Sequence, residues 1–533
     1  MSKSRSQRRF ERMSPRGDGT PSRRPPRRSG KVKVRWGKNP HPPSRPQRTS
    51  QSKSHSRKIK WSGKSPVNPH TSHKLSLLEH QRRVVTYMLN HRGALVYHGM
   101  GSGKTRIAVI LVALLKIPAI VVLPASLRDN FRKEIRHAKV PESWFTILSS
   151  QTFLDQAIDC EGKLLIVDEA HLLRNAEGKI SKKVVDSAER AKKVLLLTGT
   201  PLVNRPSDIA PLLNMIVKNK IRLTARGSSV FNRRTFTDIP TGEAFDRTFG
   251  PDGLNEVGKH LWAELFPCVF SYYSRPADSA DFPSLRFVDV KLPLSSSQSQ
   301  VYQAWESRTL TPTLVKMLAN PKTVLDVTKL PQFRAYLDGG RRICNVVGDK
   351  MEQSAPKFSD MLEKVKKTAG KALVFSHYLD KGVDVAEQMF NANSMSYVKF
   401  TGKQTPLQKQ SAVEQYNRNQ VQVFLLSSAG GVGLDLHETE SVHIMDPGWN
   451  EADILQAIYR AVRYKSHPNT PHATVTVYRY YCYKPYTSST PSADMYLLQI
   501  SQTKEKVNKR FLDYAIQHSM ETQGVGSCTV ESL

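Results

Sequence analysis

What this chain lacks narrows its chemistry before any motif is read. Only five cysteines, Cys160, Cys268, Cys344, Cys482 and Cys528, are scattered over 533 residues. None pairs as CxxC or joins a CxH group, so neither a zinc site nor a disulfide framework is expected, and a reducing intracellular compartment is. Long apolar runs are missing as well. The longest, Ile107 to Leu123, is interrupted by Lys116 and Pro118 and predicts a buried helix, a turn and a buried strand, with no membrane span. The N-terminus has no apolar segment of the secretory kind. Acidic residues are scarce: 46 Asp and Glu face 80 Lys and Arg, a formal net charge of +34. Such an excess attracts phosphate-bearing partners, nucleic acid ahead of an anionic membrane.

The charge is uneven. Residues 1–70 carry 21 Lys and Arg but only two carboxylates, Glu11 and Asp18, leaving +15 on the other 463 residues. From Met1 to about His73 the sequence is mostly Arg, Lys, Ser and Pro, as in RRPPRR and HPPSRPQR. With few large apolar side chains it cannot offset its ordering entropy, so disorder is expected. An arm for nucleic acid is the favoured reading, beside an import signal and a solubilising tail. The residual basic surplus predicts that the folded part also touches phosphates.

From Lys74 the pattern changes to short apolar strands alternating with helices: Ala94 to Tyr97, a helix from about Gly103 to Leu115, Ala119 to Leu123, Leu164 to Val167 and Val194 to Leu197. A second series begins near Lys371 with ALVFS and continues through SYVKF, VQVFLLS, SVHIMD and VTVYRYY. Continuous apolar strands separated by helices predict parallel sheets covered on both faces, hence an α/β fold with two such domains. The expected boundaries are a basic tail at 1–73, a first α/β domain at 74–215, a mostly helical insertion at 216–350, a second α/β domain at 351–482 and a helical extension at 483–533. The stretch MYLLQISQTKEKVNKRFLDYAIQHS reads as one C-terminal helix whose apolar stripe packs into a core.

HGMGSGKT places Gly99, Met100, Gly101, Ser102, Gly103, Lys104 and Thr105 between an apolar strand and an apolar helix. Glycines there let backbone N–H groups curl around phosphates, and the helix start adds partial positive charge. Lys104 can then reach the β- and γ-phosphates and the Thr105 hydroxyl a Mg²⁺ ion. The strict phosphate-loop pattern wants glycine where this chain has His98. Sixty-four residues beyond Lys104, KLLIVDEAHLL ends an apolar strand on Asp168, Glu169, Ala170 and His171. Asp168 is assigned to the metal opposite Thr105, and Glu169 to orienting and deprotonating the attacking water.

In DILQAIYRAVRYKSH, Gln456, Arg460 and Arg463 recur at spacings of four and three, which on a helix puts all three side chains on one face. The arginines can pair with surface acids. Alternatively, they reach across a cleft to the γ-phosphate as arginine fingers, with Gln456 counted among the nucleotide-binding residues. Upstream, Gly430, Gly431 and Gly433 follow a strand and permit close backbone approach to a ligand.

In order, HGMGSGKT, DEAH, TGTP at Thr198 to Pro201, SAGGVGLDL and QAIYRAVR resemble motifs I, II, III, V and VI of superfamily two helicases. LLEHQ, ending in Gln81, is similar to the adenine-contacting Q motif, VVLPASLRDNF to motif Ia and KALVFSHY to motif IV. LTGTPLVN, the DPGWN block and the QAxxRAxR spacing resemble Swi/Snf-type translocases and the related helicases of large DNA viruses, over roughly Lys74 to Tyr480. Two departures are His98 and Asp435, where Swi/Snf proteins usually have Asn. The resemblance implies two RecA-like domains, ATP and Mg²⁺ as cofactors, and hydrolysis stimulated by nucleic acid, DNA favoured over RNA. It also implies movement along a strand, viral transcription or replication proteins as partners, and a place in the nucleus, a viral factory or a virion. Translocation on duplex without strand separation, and a nucleic-acid-binding scaffold with a vestigial ATPase, are the alternatives.

Overall fold

A computed structural model of the chain describes residues 77–217, 238–274, 281–319, 331–348, 354–368, 370–428, 434–449 and 451–523. The basic tail, Gly430, Gly431, Gly433 and Cys528 lie outside them. Strand β1 (Gly93–His98) is an apolar run buried at five of its six positions. Behind it, the helix Lys104–Leu115 buries every residue from Ile107 to Val112. Lys116 stops that helix in the left-handed region at φ 53°, and Pro118 precedes β2 (Ala119–Leu123), buried throughout. A run too apolar for a surface is thus folded back as a helix and a central strand. Among the described residues no helix is long and apolar enough to cross a membrane.

β3 (Phe145–Ser149), β4 (Leu164–Asp168), β5 (Lys193–Thr198) and β6 (Phe270–Tyr273) complete a six-stranded sheet in the order β3-β2-β4-β5-β1-β6. All its ladders are parallel, and apolar cores cover both faces. A second six-stranded parallel sheet runs β7-β12-β11-β8-β10-β9. Its strands are β7 (Ser284–Pro293), β8 (Lys371–Ser376), β9 (Tyr397–Phe400), β10 (Val423–Ser427), β11 (Thr439–Ile444) and β12 (Thr474–Tyr483). The fold is therefore α/β, two parallel sheets flanked by helices.

Within the span read as a helical insertion, the described residues divide between the sheets. The helices Gly242–Phe249 and Glu256–Val269 place Phe245, Phe249, Trp262 and Phe266 in the first core, and β6 then pairs with β1. β7 pairs with β12 over ten residues. Neither strand shows as a continuous buried run: β6 has four residues, and β7 is an edge strand alternating between half-buried and exposed. The helix Pro331–Asn345 packs with the C-terminal helix Ala493–Gln517 in a smaller core of Phe333, Tyr336, Leu337, Tyr496, Leu497 and Ile500. The other end of that C-terminal helix reaches the first lobe, where Phe511 and Ala515 join the Trp262 cluster.

Expectation needs correction at one cysteine. Cys160, Cys344 and Cys482 are free and buried, but Cys268 is disulfide-bonded. No short motif along the chain would have revealed this.

His443 lies on β11 with no exposed surface, its Nδ1 3.1 Å from the Tyr480 hydroxyl and its Nε2 3.2 Å from Ser441 Oγ. Burial first, and then the Lys364 charge, lower its pKa to about 3. A depressed histidine favours the folded state while neutral, and that contribution falls away as pH drops below the unfolded value near 6.5. Between pH 7 and pH 5 it should cost about 2 kcal/mol. Denaturant midpoints should therefore show His443→Gln losing less stability over this range than the parent chain; equal losses would contradict the assignment.

Candidate nucleotide site

The order β4-β5-β1 brings the ends of three adjacent parallel strands to one edge. Each ends in a candidate segment: His98 closes β1 and leads into the glycine loop, Asp168 closes β4 and Thr198 closes β5. The loop needs its glycines. Gly101 and Gly103 have φ of 77° and 78°, a region side chains avoid, and a Cβ on Gly103 would stand 2.4 Å from Gln81 Nε2. Gln81 is almost fully buried; its Nε2 donates to Ser102 O at 2.9 Å, and its Oε1 accepts from Leu78 N at 3.0 Å. Here Gln81 braces the loop itself. Beside it the His80 ring stacks on Tyr273 at 3.6 Å and its Nε2 lies 3.0 Å from Ser102 O. Met100 packs on Gly199 of the TGTP segment, and Thr105 stands in the first turn of the Lys104–Leu115 helix.

Lys104 Nζ donates to His98 O at 2.8 Å and to Gly99 O at 3.2 Å. Its pKa is lowered, chiefly by burial, while the Glu169 and Asp168 charges pull it up and Arg463 pushes it down. Asp168 is raised by burial and by the charge of Glu169. For Glu169, burial acts upward but is outweighed by the neighbouring His171 and the Lys104 charge, so it lies below the usual carboxylate range. Glu169 also sits in the left-handed region at φ 54°, the backbone strain common at functional sites. His171, buried, links two segments: its Nδ1 is 3.3 Å from Glu169 Oε2 and 3.1 Å from Thr198 Oγ1. Reading the sequence gave no role to this bridge between DEAH and TGTP.

The second lobe meets the loop directly, since a Cβ on Gly101 would lie 3.6 Å from both Arg463 Cα and Tyr464 N. The helix expected to carry Gln456, Arg460 and Arg463 on one face ends earlier, at Glu451–Ile458. Only half-buried Gln456 is on it. Arg460 N bonds Ala457 O at 3.1 Å and Ala461 N bonds Ile458 O at 3.0 Å, three-residue spacings that tighten and close the helix. Arg463 lies beyond, its Nε on Tyr459 O at 2.9 Å. The two arginines still converge: burial and then Arg463 lower Arg460 to about 9, against the pull of Glu169. Arg463 is lowered by burial and raised in part by Asp435, so the position that departs from Asn places a carboxylate by this arginine. Lys104, Asp168, Glu169, Arg460 and Arg463 thus form one electrostatic group.

A polyphosphate fits the group. Ser102 Oγ and Arg460 Nε are buried without a hydrogen-bond partner, the loop presents a helix start, and burial disfavours three cations until an anion joins them. One hydroxyl and one carboxylate, Thr105 and Asp168, are oxygen donors of the kind that would hold Mg²⁺ beside a phosphate.

A further group tied together here is the link between the FSHY and DPGWN blocks. Asp446, fully buried, accepts from Ser376 Oγ, from His377 N at 3.0 Å and from Arg341 Nη2 at 3.4 Å, and lies 2.6 Å from His377 Nδ1. Burial works against its ionisation, but His377 and Arg341 hold it far below the usual range.

The SNF2-related domain family matches residues 140–347 and the helicase conserved C-terminal domain family residues 356–465. The chain thus carries an SNF2-related domain followed by a helicase conserved C-terminal domain. It is 29% identical over 458 residues to a putative ATP-dependent RNA helicase of Acanthamoeba polyphaga mimivirus, covering 84% of this chain and 98% of that protein. A SWI/SNF chromatin-remodeling complex subunit of Schizosaccharomyces pombe is 27% identical over 56% of this chain, which spans 18% of that longer protein. The SWI2/SNF2 ATPase core of Sulfolobus solfataricus, solved in complex with dsDNA, aligns over 76% of this chain and 88% of its own at 18% identity and a TM-score of 0.33. The chain carries Asp168, Glu169, Gln456, Arg460 and Arg463 inside the matched spans, whereas Gln81 and the loop from Gly99 to Thr105 precede them.

For ATP hydrolysis at this cleft, Arg460→Ala and Arg463→Ala are each expected to lower kcat by about 1,000-fold while nucleotide still binds. Full turnover by both variants would remove these arginines from the chemistry.

Proposed function

We propose that this ATPase binds ATP with Mg²⁺ between residues of its two lobes and uses hydrolysis to move along nucleic acid, DNA favoured over RNA. The observation that supports the reading is the meeting of Lys104, Asp168 and Glu169 with Arg460 and Arg463, three cations disfavoured by burial around two carboxylates. On binding ATP, the Lys104 ammonium exchanges the His98 and Gly99 carbonyls for the β- and γ-phosphates. Glu169, kept ionised by His171, orients the attacking water and accepts its proton. Arg460 and Arg463 stabilise charge on the transferring phosphoryl group and, coming from the other lobe, make hydrolysis depend on lobe contact. Thr105 and Asp168 would hold Mg²⁺, whose charge would offset that of the phosphate oxygens. In this proposal the first lobe extends to Tyr273 and the second begins at Ser284, where the strands change sheet.

Translocation without strand separation is the second reading. Among the described residues every sheet ladder is parallel and the sole antiparallel contact is the bridge Glu161–Ala191. No β-hairpin stands among them to act as a separating wedge.

ATP hydrolysis by the purified chain should rise with at least one of single-stranded DNA, duplex DNA or RNA, and Lys104→Ala and Glu169→Gln should abolish it. Equal rates with and without every nucleic acid would sink the motor reading. Strand displacement on DNA, RNA and hybrid duplexes separates the two readings: stimulated hydrolysis with no displaced strand leaves translocation alone.

As a nucleic-acid arm, residues 1–70 add phosphate contacts. Their deletion should weaken binding and flatten its dependence on salt while retaining ATPase activity. An unchanged salt slope would leave the tail as a solubiliser.

A further inference from the structure

The residue that departs from the phosphate-loop pattern is built into a hydrogen-bonded chain reaching the C-terminus of the described structure. His98 has no exposed surface, and its Nε2 lies 2.9 Å from Ser271 Oγ on β6. The Ser271 hydroxyl donates to Glu521 Oε1, and the other oxygen of that carboxylate accepts from Tyr272 N at 2.9 Å. Met520 N bonds Phe270 O at 3.0 Å, so residues 520 and 521 grip three consecutive positions of the edge strand. Because the Ser271 proton is given to Glu521, its oxygen accepts from His98, which fixes the imidazole as the Nε2–H tautomer. His98 Nδ1 is left without a partner, the ring standing edge-on to Tyr273 and His80. At the other end, the His98 carbonyl accepts from Lys104 Nζ.

Glu521 lies four residues past a helix that starts on the other lobe. There, Asp494 in the first turn is paired with Lys357 at 2.5 Å, both side chains fully buried, and Tyr496, Leu497 and Ile500 pack with Phe333 and Leu337. The helix thus runs from the second lobe to the first before its end is tied to β6. A glycine at position 98 would break this connection, having no side chain to meet Ser271.

We propose that Glu521, Ser271 and His98 are positioning residues for the phosphate loop, through which the seating of the C-terminal helix on the first lobe sets how firmly the loop holds ATP. The inference rests on reading the Lys104 loop as the nucleotide site. With the chain intact, β6 holds the end of β1 and the His98 carbonyl stays where Lys104 meets it. With Glu521 removed, Ser271 loses its acceptor, His98 loses its fixed partner, and the loop pays more ordering entropy when ATP binds.

The test is a double-mutant cycle on the full chain, read as the dissociation constant of a fluorescent ATP analogue and as the ATPase KM against kcat. Thermal unfolding is followed on each variant. Glu521→Gln should weaken nucleotide binding and raise KM by about fivefold to tenfold, the size of one lost charged hydrogen bond in part transmitted, with a smaller change in kcat. In a His98→Gly background the same Glu521→Gln change should alter affinity by less than about twofold, because its route is already cut. An unchanged KM in Glu521→Gln overturns the proposal, as does an undiminished effect in the His98→Gly background, which would mark Glu521 as a general support of β6. Lys104→Ala run in parallel separates the two layers: if it leaves analogue binding intact, the reading of the loop itself fails, and if it abolishes binding while Glu521→Gln does nothing, only the coupling fails.

Discussion

Parallel pairing of β4, β5 and β1 is the constraint on which the site depends. Strands that run the same way must end on the same edge, so the ladders Asp168–Leu197 and Tyr97–Thr198 bring a carboxylate, a threonine and a glycine loop together without any long side chain bridging them. Parallel strands require covered faces, and the apolar helix behind the glycine loop supplies one cover while fixing the loop's exit. Local contacts then finish what topology begins. Gln81 braces the loop from outside, and His171 joins Glu169 to Thr198.

Much of this was legible because buried parallel strands are continuous apolar runs. Ala119 to Leu123 reads as a strand from its residues alone, and so, within a residue or two at each end, do Ala94 to Tyr97 and Leu164 to Val167. What escaped were elements whose role is set by partners far along the chain. β6 is four residues long, and β7 is an exposed edge with no continuous apolar face. The spacing of Gln456, Arg460 and Arg463 is helical, yet the helix closes at Ile458 because the following amides bond three residues back. At the candidate site, residue types and order were readable. The links that position them were not, since His98–Ser271 and His377–Asp446 join positions 173 and 69 residues apart.

Charge follows the same division. The basic surplus is plain from composition, but its distribution inside the cleft is a property of the fold: burial disfavours Lys104, Arg460 and Arg463 as cations, and the arginines oppose each other. A cleft in that condition gains from an anionic ligand beyond the hydrogen bonds it forms with it, since each phosphate charge relieves a repulsion already present. Asp446 shows the opposite arrangement in the second lobe. There a buried carboxylate is fully supplied with donors, and its role is to hold two loops in register.

The helix Ala493–Gln517 has 25 residues, so it is a rod of about 37 Å. One end is sunk in the second lobe's small core and the other in the aromatic cluster of the first. A rod cannot shorten as a loop can. A change in the spacing of the two lobes must therefore bend this helix, swing about one of its ends or draw an end out of its socket, so a single piece of secondary structure ties the position of one lobe to the other.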